Sequence, residues 1–290
     1  MFITKYLARH KTGGLTLLLG TALLFLSACN SNDTTPSANS TPTSQVVTSA
    51  SAAIRHSPSG TVQLSWDHTT HVLTAQVALT GLEPKSVHPT KIYAGNCQHP
   101  GKVVYTLSDV TADTIGFANS ITRIKDVVDG IPANAWYVNV HNGPGLSTET
   151  QALAITCANI TNQNVSTKNS QAVQATLNDT PSPNQAVNGT AQLSVNNNQL
   201  TVNLSLKGLT PSSKHEARIY SGSCASQGKM VYPLKPIVAN GSGDGFSTTV
   251  IPNVSSLPES GWYVNIHLTA DISKQTGSDP IACGDITPSH

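Results

Sequence analysis

The chain repeats itself, and each repeat carries its own pair of cysteines. GTVQLSW from Gly60, TGLEPKSVHPTKIYAGNC ending at Cys97, GKVVY from Gly101, WYVNVH from Trp136 and ITCANIT from Ile155 make up the first set. The second set is GTAQLSV from Gly189, KGLTPSSKHEARIYSGSC ending at Cys224, GKMVY from Gly228, WYVNIH from Trp262 and IACGDIT from Ile281. The offset is 129 residues at Gly60 and 126 at Trp136. Five segments kept in one order imply that one structural unit is used twice. Cys97 and Cys157 lie 60 residues apart, and Cys224 and Cys283 lie 59 apart. Four cysteines allow three connectivities, but the recurrence of the pair favours a disulfide inside each repeat. A thiolate metal site would need closely spaced cysteines, which neither repeat has. Closing a loop of this length contributes about 4 kcal/mol in the chain-entropy description.

Inside each repeat, hydrophobicity alternates with period two. Val62, Leu64 and Trp66 share one face of a strand, as do Leu200, Val202, Leu204 and Leu206. Similar runs cover Val72 to Leu79, Val103 to Leu107 and Trp136 to Val140, and turn-forming clusters such as Gly81-Leu82-Glu83-Pro84 separate them. The pattern predicts an all-β chain with two tandem Greek-key β-sandwich or flattened-barrel domains, each with one disulfide. The expected limits are 56–161 for the first and 189–290 for the second. A Ser/Thr/Asn/Gln/Pro-rich linker fills 162–188 between them.

The N-terminus carries a different signal. Lys5, Arg9 and Lys11 precede an apolar run from Leu15 to Leu26, too short to cross a bilayer comfortably. It ends in Leu26-Ser27-Ala28-Cys29, which resembles the lipobox of bacterial lipoproteins; an ordinary cleavage site with an incidental cysteine is the alternative. The expectation is a signal peptide over 1–28, lipid attachment at Cys29 and a polar tether over 29–55. The protein is then lipid-anchored to the cell membrane on its extracytoplasmic face, where disulfides persist. Without the three leader cations, 13 basic side chains face 15 acidic ones, and no basic stripe argues for nucleic acid.

The GL…Cys segment and the C-terminal ACG-I strand resemble copper-zinc superoxide dismutase, and WYVNVH and WYVNIH resemble the CHRD (chordin-type) domain. The likeness covers roughly 60–160 and 189–287 and implies a sandwich with the disulfide just described. It implies no copper site. In the dismutase pattern an HxH pair on one strand supplies two copper ligands on one face. Those positions here are Lys91 and Tyr93, then Arg218 and Tyr220. Lysine and arginine are cationic at neutral pH and do not replace imidazole. Between Cys97 and Trp136 the only histidine is His99, and between Cys224 and Trp262 there is none. Four histidines do recur, His88 with His141 and His215 with His267. One reading is a residual two-histidine copper site; the other is strand-end histidines bonded to backbone carbonyls.

Two further features invite binding readings. Trp136-Tyr137 and Trp262-Tyr263 could stack on sugar rings, although alternation sends the two rings to opposite faces. Lys91 with Tyr93, and Arg218 with Tyr220, share a face and could form a cationic-aromatic patch. No nucleophile elbow, P-loop or zinc-protease motif is present. The expected function is a noncatalytic binding or structural module of the cell envelope, without a cofactor, partnered by an envelope protein or glycan. A copper-binding or residual dismutase-like protein is the alternative.

Overall fold

The computed structural model describes residues 46–178, 184 and 186–289. The signal peptide, Cys29 and the tether up to residue 45 lie outside the described residues. The first repeat supplies β1 (Ser49–His56), β2 (Ser59–Asp67), β3 (Val72–Thr80), β4 (Val87–His88), β5 (Thr90–Asn96), β6 (His99–Thr106), β7 (Val110–Thr111), β8 (Ala118–Ile124), β9 (Trp136–His141), the one-turn α1 (Glu149–Ala152) and β10 (Ala154–Ile160). The second supplies β11 (Gln171–Leu177), β12 (Asn188–Asn196), β13 (Gln199–Lys207), β14 (Lys214–His215), β15 (Ala217–Ser223), β16 (Ser226–Pro233), β17 (Ile237–Ala239), β18 (Gly245–Pro252), β19 (Trp262–His267), α2 (Gln275–Ser278), β20 (Pro280–Asp285) and a short β21 (Thr287–Pro288). Each strand from β1 to β10 thus has its counterpart ten strands later.

The elements follow the sequence pattern. Val62, Leu64 and Trp66 point inward from β2, and Leu200, Val202, Leu204 and Leu206 do so from β13. Gly60 and Gly189 open β2 and β12 because a Cβ there would strike the backbone of the neighbouring strand, at Ala78 and Ser205. Gly81 and Gly208 close β3 and β13 at φ +79° and +81°, a conformation costly for residues with a Cβ.

The first half of the fold has two four-stranded antiparallel sheets, β11-β2-β3-β8 and β10-β9-β5-β6, with β4 and β7 paired beside them. In the second half a single curled sheet runs β14-β17-β18-β13-β12-β1-β20-β19-β15-β16. Strand β1 joins its two layers: Ser49–Ile54 pair with Gly189–Ser194 of β12, whereas Arg55 and His56 pair with Cys283 and Ala282 of β20.

The two repeats have exchanged their first strands. Strand β11 lies against β2 with Val173 opposite Leu64, and β1 lies against β12 with Ala50 opposite Leu193. Leu64 and Leu193 are the same position of the GT-QLS motif, so β1 and β11 fill equivalent places in opposite halves. The cores record this exchange. Val173 and Leu177 pack with the residues of the first half, and Ala50, Ala52 and Ile54 with those of the second. This corrects two expected boundaries. Residues 49–55, read as tether, and 171–177, read as linker, are ladder strands. Their inward positions include Ala50, Ala52 and Gln171, so small and polar side chains conceal the alternation. Ala suits this place because β1 crosses close to Gly284, where a Cβ would lie 2.8 Å from the Ala53 carbonyl oxygen.

Candidate functional site

The disulfides form inside each repeat, Cys97–Cys157 with Cα atoms 6.1 Å apart and Cys224–Cys283 with 5.8 Å. Each links the end of the strand that follows the GL segment (β5 or β15) to the last long strand of its repeat (β10 or β20). Tyr137 of β9 packs on the first disulfide, and Tyr93 stacks on Tyr137 at 5.2 Å between ring centroids. Tyr220 stacks on Tyr263 at 5.5 Å in the second repeat. Alternation along WYVN buries Tyr137 and Tyr263 and leaves Trp136 and Trp262 half-buried, where they meet Tyr105 and Tyr232 edge-on at 5.5 Å.

The four recurrent histidines are buried, and each has a protein partner at both ring nitrogens. His88 Nδ1 lies 2.9 Å from the His141 carbonyl, and its Nε2 lies 2.6 Å from the Ser86 hydroxyl. His141 Nδ1 lies 2.7 Å from the Ala152 carbonyl, and its Nε2 lies 2.8 Å from the Tyr93 hydroxyl. The second repeat copies both arrangements. His215 is held by the His267 carbonyl at 3.0 Å and Ser213 Oγ at 2.6 Å; His267 is held by the Ser278 carbonyl at 2.5 Å and the Tyr220 hydroxyl at 3.0 Å. A carbonyl only accepts, so it fixes the proton on Nδ1; Nε2 of His141 and His267 then accepts from a tyrosine hydroxyl, whereas Nε2 of His88 and His215 competes with the Glu83 and Thr210 carbonyls for the single proton of Ser86 and Ser213. Burial lowers the pKa of all four, His88 to about 4, which keeps the rings neutral.

The residues of the expected cationic-aromatic patch are therefore divided. The Tyr93 and Tyr220 hydroxyls turn inward to donate to histidine. Arg218 Nε donates to Glu216 Oε1 at 3.1 Å. Lys91 stands beside His141, where its charge further disfavours the imidazolium.

Sequence reasoning missed a polar seam where the halves meet. Gln275 of α2 reaches across and completes the Val87 backbone, accepting from its N–H at 3.1 Å and donating to its carbonyl at 2.8 Å; it also donates to the Asn142 carbonyl at 2.7 Å. Gln227 donates to the Leu82 carbonyl at 2.6 Å, and the Ile115 carbonyl accepts from its backbone N–H at 3.0 Å. Asp279 is 1% exposed, neither of its oxygens makes a well-formed hydrogen bond among the described residues, and Oδ1 lies 3.9 Å from His88 Nε2. Burial disfavours the charged form of each, so this is a contact between two reluctant ions and not a formed ion pair. Burial and the charge of Glu83 raise the Asp279 carboxyl well above its ordinary value, against a smaller pull from the Gln275 side chain. Burial lifts Glu83 to about 7 against the pull of Arg218.

His56, at the end of β1, is lowered to about 4 by burial, against the nearby Ile155 and Ile281 backbone, and among the described residues neither ring nitrogen makes a well-formed hydrogen bond. It lines a cavity of about 340 Å³ together with Leu153 and Ile155 from the first repeat and Leu268, Asp279 and Ile281 from the second. The only trace of this seam in the sequence is where the repeats diverge. Asp279 replaces Leu153, and Thr210 replaces Glu83.

Among the described residues no group of three or more His, Cys, Asp or Glu side chains is arranged to hold a metal ion. No helix of the described residues is long and apolar enough to cross a membrane. No curated protein matches the chain. Residues 161–272 match the family model of the CHRD domain, a span that takes in β11 and ends just after β19.

Proposed function

We propose that the chain is a noncatalytic binding or structural module of the cell envelope, lipid-anchored through Cys29 and built from two tandem CHRD- or dismutase-like Greek-key sandwiches. The observation that carries this reading is the use of the repeated histidines. All eight imidazole nitrogens are engaged by carbonyls or hydroxyls of the protein itself. A copper ion does not fit this donor set. To ligate through Nε2, His141 and His267 would each have to release a tyrosine hydroxyl, and Lys91 and Arg218 stand where the family likeness requires imidazole. These imidazoles instead tie strand ends to the loops beside them, a structural task repeated in both halves.

The test is a copper and zinc titration of the exported part of the chain, with elemental analysis of the protein as purified. The proposal expects binding no tighter than that of a His141→Gln, His267→Gln double variant. Micromolar or tighter binding of about one metal per repeat, abolished in that variant, would overturn it in favour of metal handling.

A further inference from the structure

We propose that the cavity beside His56 is a binding site for a small, uncharged and mostly apolar molecule that carries one hydrogen-bonding group. The cavity arises from a feature that both repeats share. In the β9–β10 ladder Ala154 pairs with His141 and Thr156 with Val140, so Ile155 is an extra residue. In the β19–β20 ladder Pro280 pairs with His267 and Ala282 with Ile266, so Ile281 is the extra one. Such a bulge leaves one residue unpaired and bends its strand, an irregularity concentrated beside functional sites. Leu153-Ala154-Ile155 and Asp279-Pro280-Ile281 hold the same three positions of their repeats, and all six residues line the one cavity of about 340 Å³. Strand β1 ends at the same place, where His56 pairs with Ala282 and the Ser57 N–H donates to the Ile281 carbonyl at 3.2 Å. The backbones of three strands therefore shape this gap, not the rotamer of one side chain.

The walls define the ligand. Leu153, Ala154, Ile155, Leu268, Pro280 and Ile281 present hydrocarbon, and Leu153 is left 46% exposed. Burial disfavours charge on His56 and Asp279, the two ionisable residues of the wall. A charged ligand would lose its water here without gaining a counter-ion. Neutral His56 offers one N–H and one lone pair, and neither ring nitrogen has a well-formed partner among the described residues. An apolar molecule with a single donor or acceptor meets both conditions, covering the aliphatic wall and completing the imidazole. The volume lies near the lower end of the ~300–1,000 Å³ typical of small-molecule pockets, room for a few rings or a short alkyl chain and not for a whole phospholipid. The site is separate from the four recurrent histidines and does not rest on the role assigned to them.

The experiment uses the full chain with both disulfides oxidised and two fluorescent probes built on one ring system. N-phenyl-1-naphthylamine is uncharged, and 1-anilinonaphthalene-8-sulfonate is the same molecule with a sulfonate added. The uncharged probe should bind once per chain with a Kd on the order of 10–100 µM, and the sulfonate about tenfold more weakly or worse. 1-Octanol should displace the bound probe, and octanoate should not. Leu153→Trp sets a large ring against the cavity from an already exposed position, and Ala154→Phe fills it from the next residue. Each should weaken the uncharged probe by about tenfold or more, with Leu153→Trp deciding the matter if Ala154→Phe fails to fold. His56→Phe keeps a ring and removes the hydrogen bond, for an expected loss of about three- to tenfold. The proposal is overturned if the parent shows no saturable binding of the uncharged probe, or if a folded Leu153→Trp chain binds it as tightly as the parent. Equal binding of the sulfonate would overturn the assignment of an uncharged ligand, and full-strength binding by His56→Phe would overturn the hydrogen bond.

Discussion

Truncating Ile54 should damage the half of the molecule to which Ile54 does not belong by sequence. Ile54 lies in the first repeat, five residues before β2, yet its side chain is 1% exposed in the core of the second half, among Ala52, Leu206 and their neighbours. Ile54→Ala removes three carbons, or about 2.5 kcal/mol of transfer free energy at ~0.8 kcal/mol each. The residual cavity adds about 1 kcal/mol, for a total near ~3.5 kcal/mol within the usual range for such substitutions. Ile54 faces Gly189, which has no side chain to collapse into the space, so little of the cavity term should be recovered. The assay is native-state hydrogen exchange read by peptide mass spectrometry. Protection in β12, β13 and β20 should fall by two to three decades, the equivalent of ~3.5 kcal/mol. If the halves open together, β2 and β3 fall with them. A loss confined to β2 and β3, with β12 and β20 intact, would mean that β1 packs in its own repeat and would refute the exchange.

Three other outcomes follow from the seam and the disulfides. Gln275→Ala leaves the Val87 N–H and the Val87 and Asn142 carbonyls without their partner; a loss of about 1–3 kcal/mol is expected in urea unfolding. His56 and His88 bind fewer protons folded than unfolded between about pH 4 and 6.5, so their stabilisation is complete above 6.5 and is lost as the pH falls toward 4. The raised Asp279 carboxyl acts oppositely, because its stabilisation is lost as the pH rises through its folded value. Asp279→Asn should therefore lose less stability than the parent as the pH rises above the ordinary carboxylate range, while keeping the acid-side loss from the histidines; identical profiles above that range would refute this. Replacing Cys97 and Cys157 together by Ser should cost about 4 kcal/mol, with exchange protection lost first in β5, β9 and β10.

The disulfides and most strands were legible because their signals are local and duplicated. Cysteines at one spacing occur twice, and Leu200 to Leu206 alternate with polar residues in a single uninterrupted run. Strand β1 was not legible as a strand because Ala50 and Ala52 face the core where a reader looks for Val or Leu. Its destination was still less so, since local pattern specifies that a strand forms but not which of two identical edges receives it. The histidines recurred in the sequence, yet their partners are carbonyls and hydroxyls brought in by folding, such as Ala152 and Ser278 beside the short helices. Asp279 gave no pattern at all. A lone carboxylate before a proline gains meaning only from the burial around it, and comparison with Leu153 was the one available sign.

The central claim is that the repeated histidines are neutral struts with both nitrogens engaged, and ¹⁵N ring spectra of His88, His141, His215 and His267 test it most directly. At pH 7 all four should show the proton on Nδ1 and an unprotonated Nε2, with no titration near 6.5. A ring that protonates near 6.5, or that carries its proton on Nε2, would contradict the account at that residue. If His141 and His267 both did so, the metal-binding reading would return.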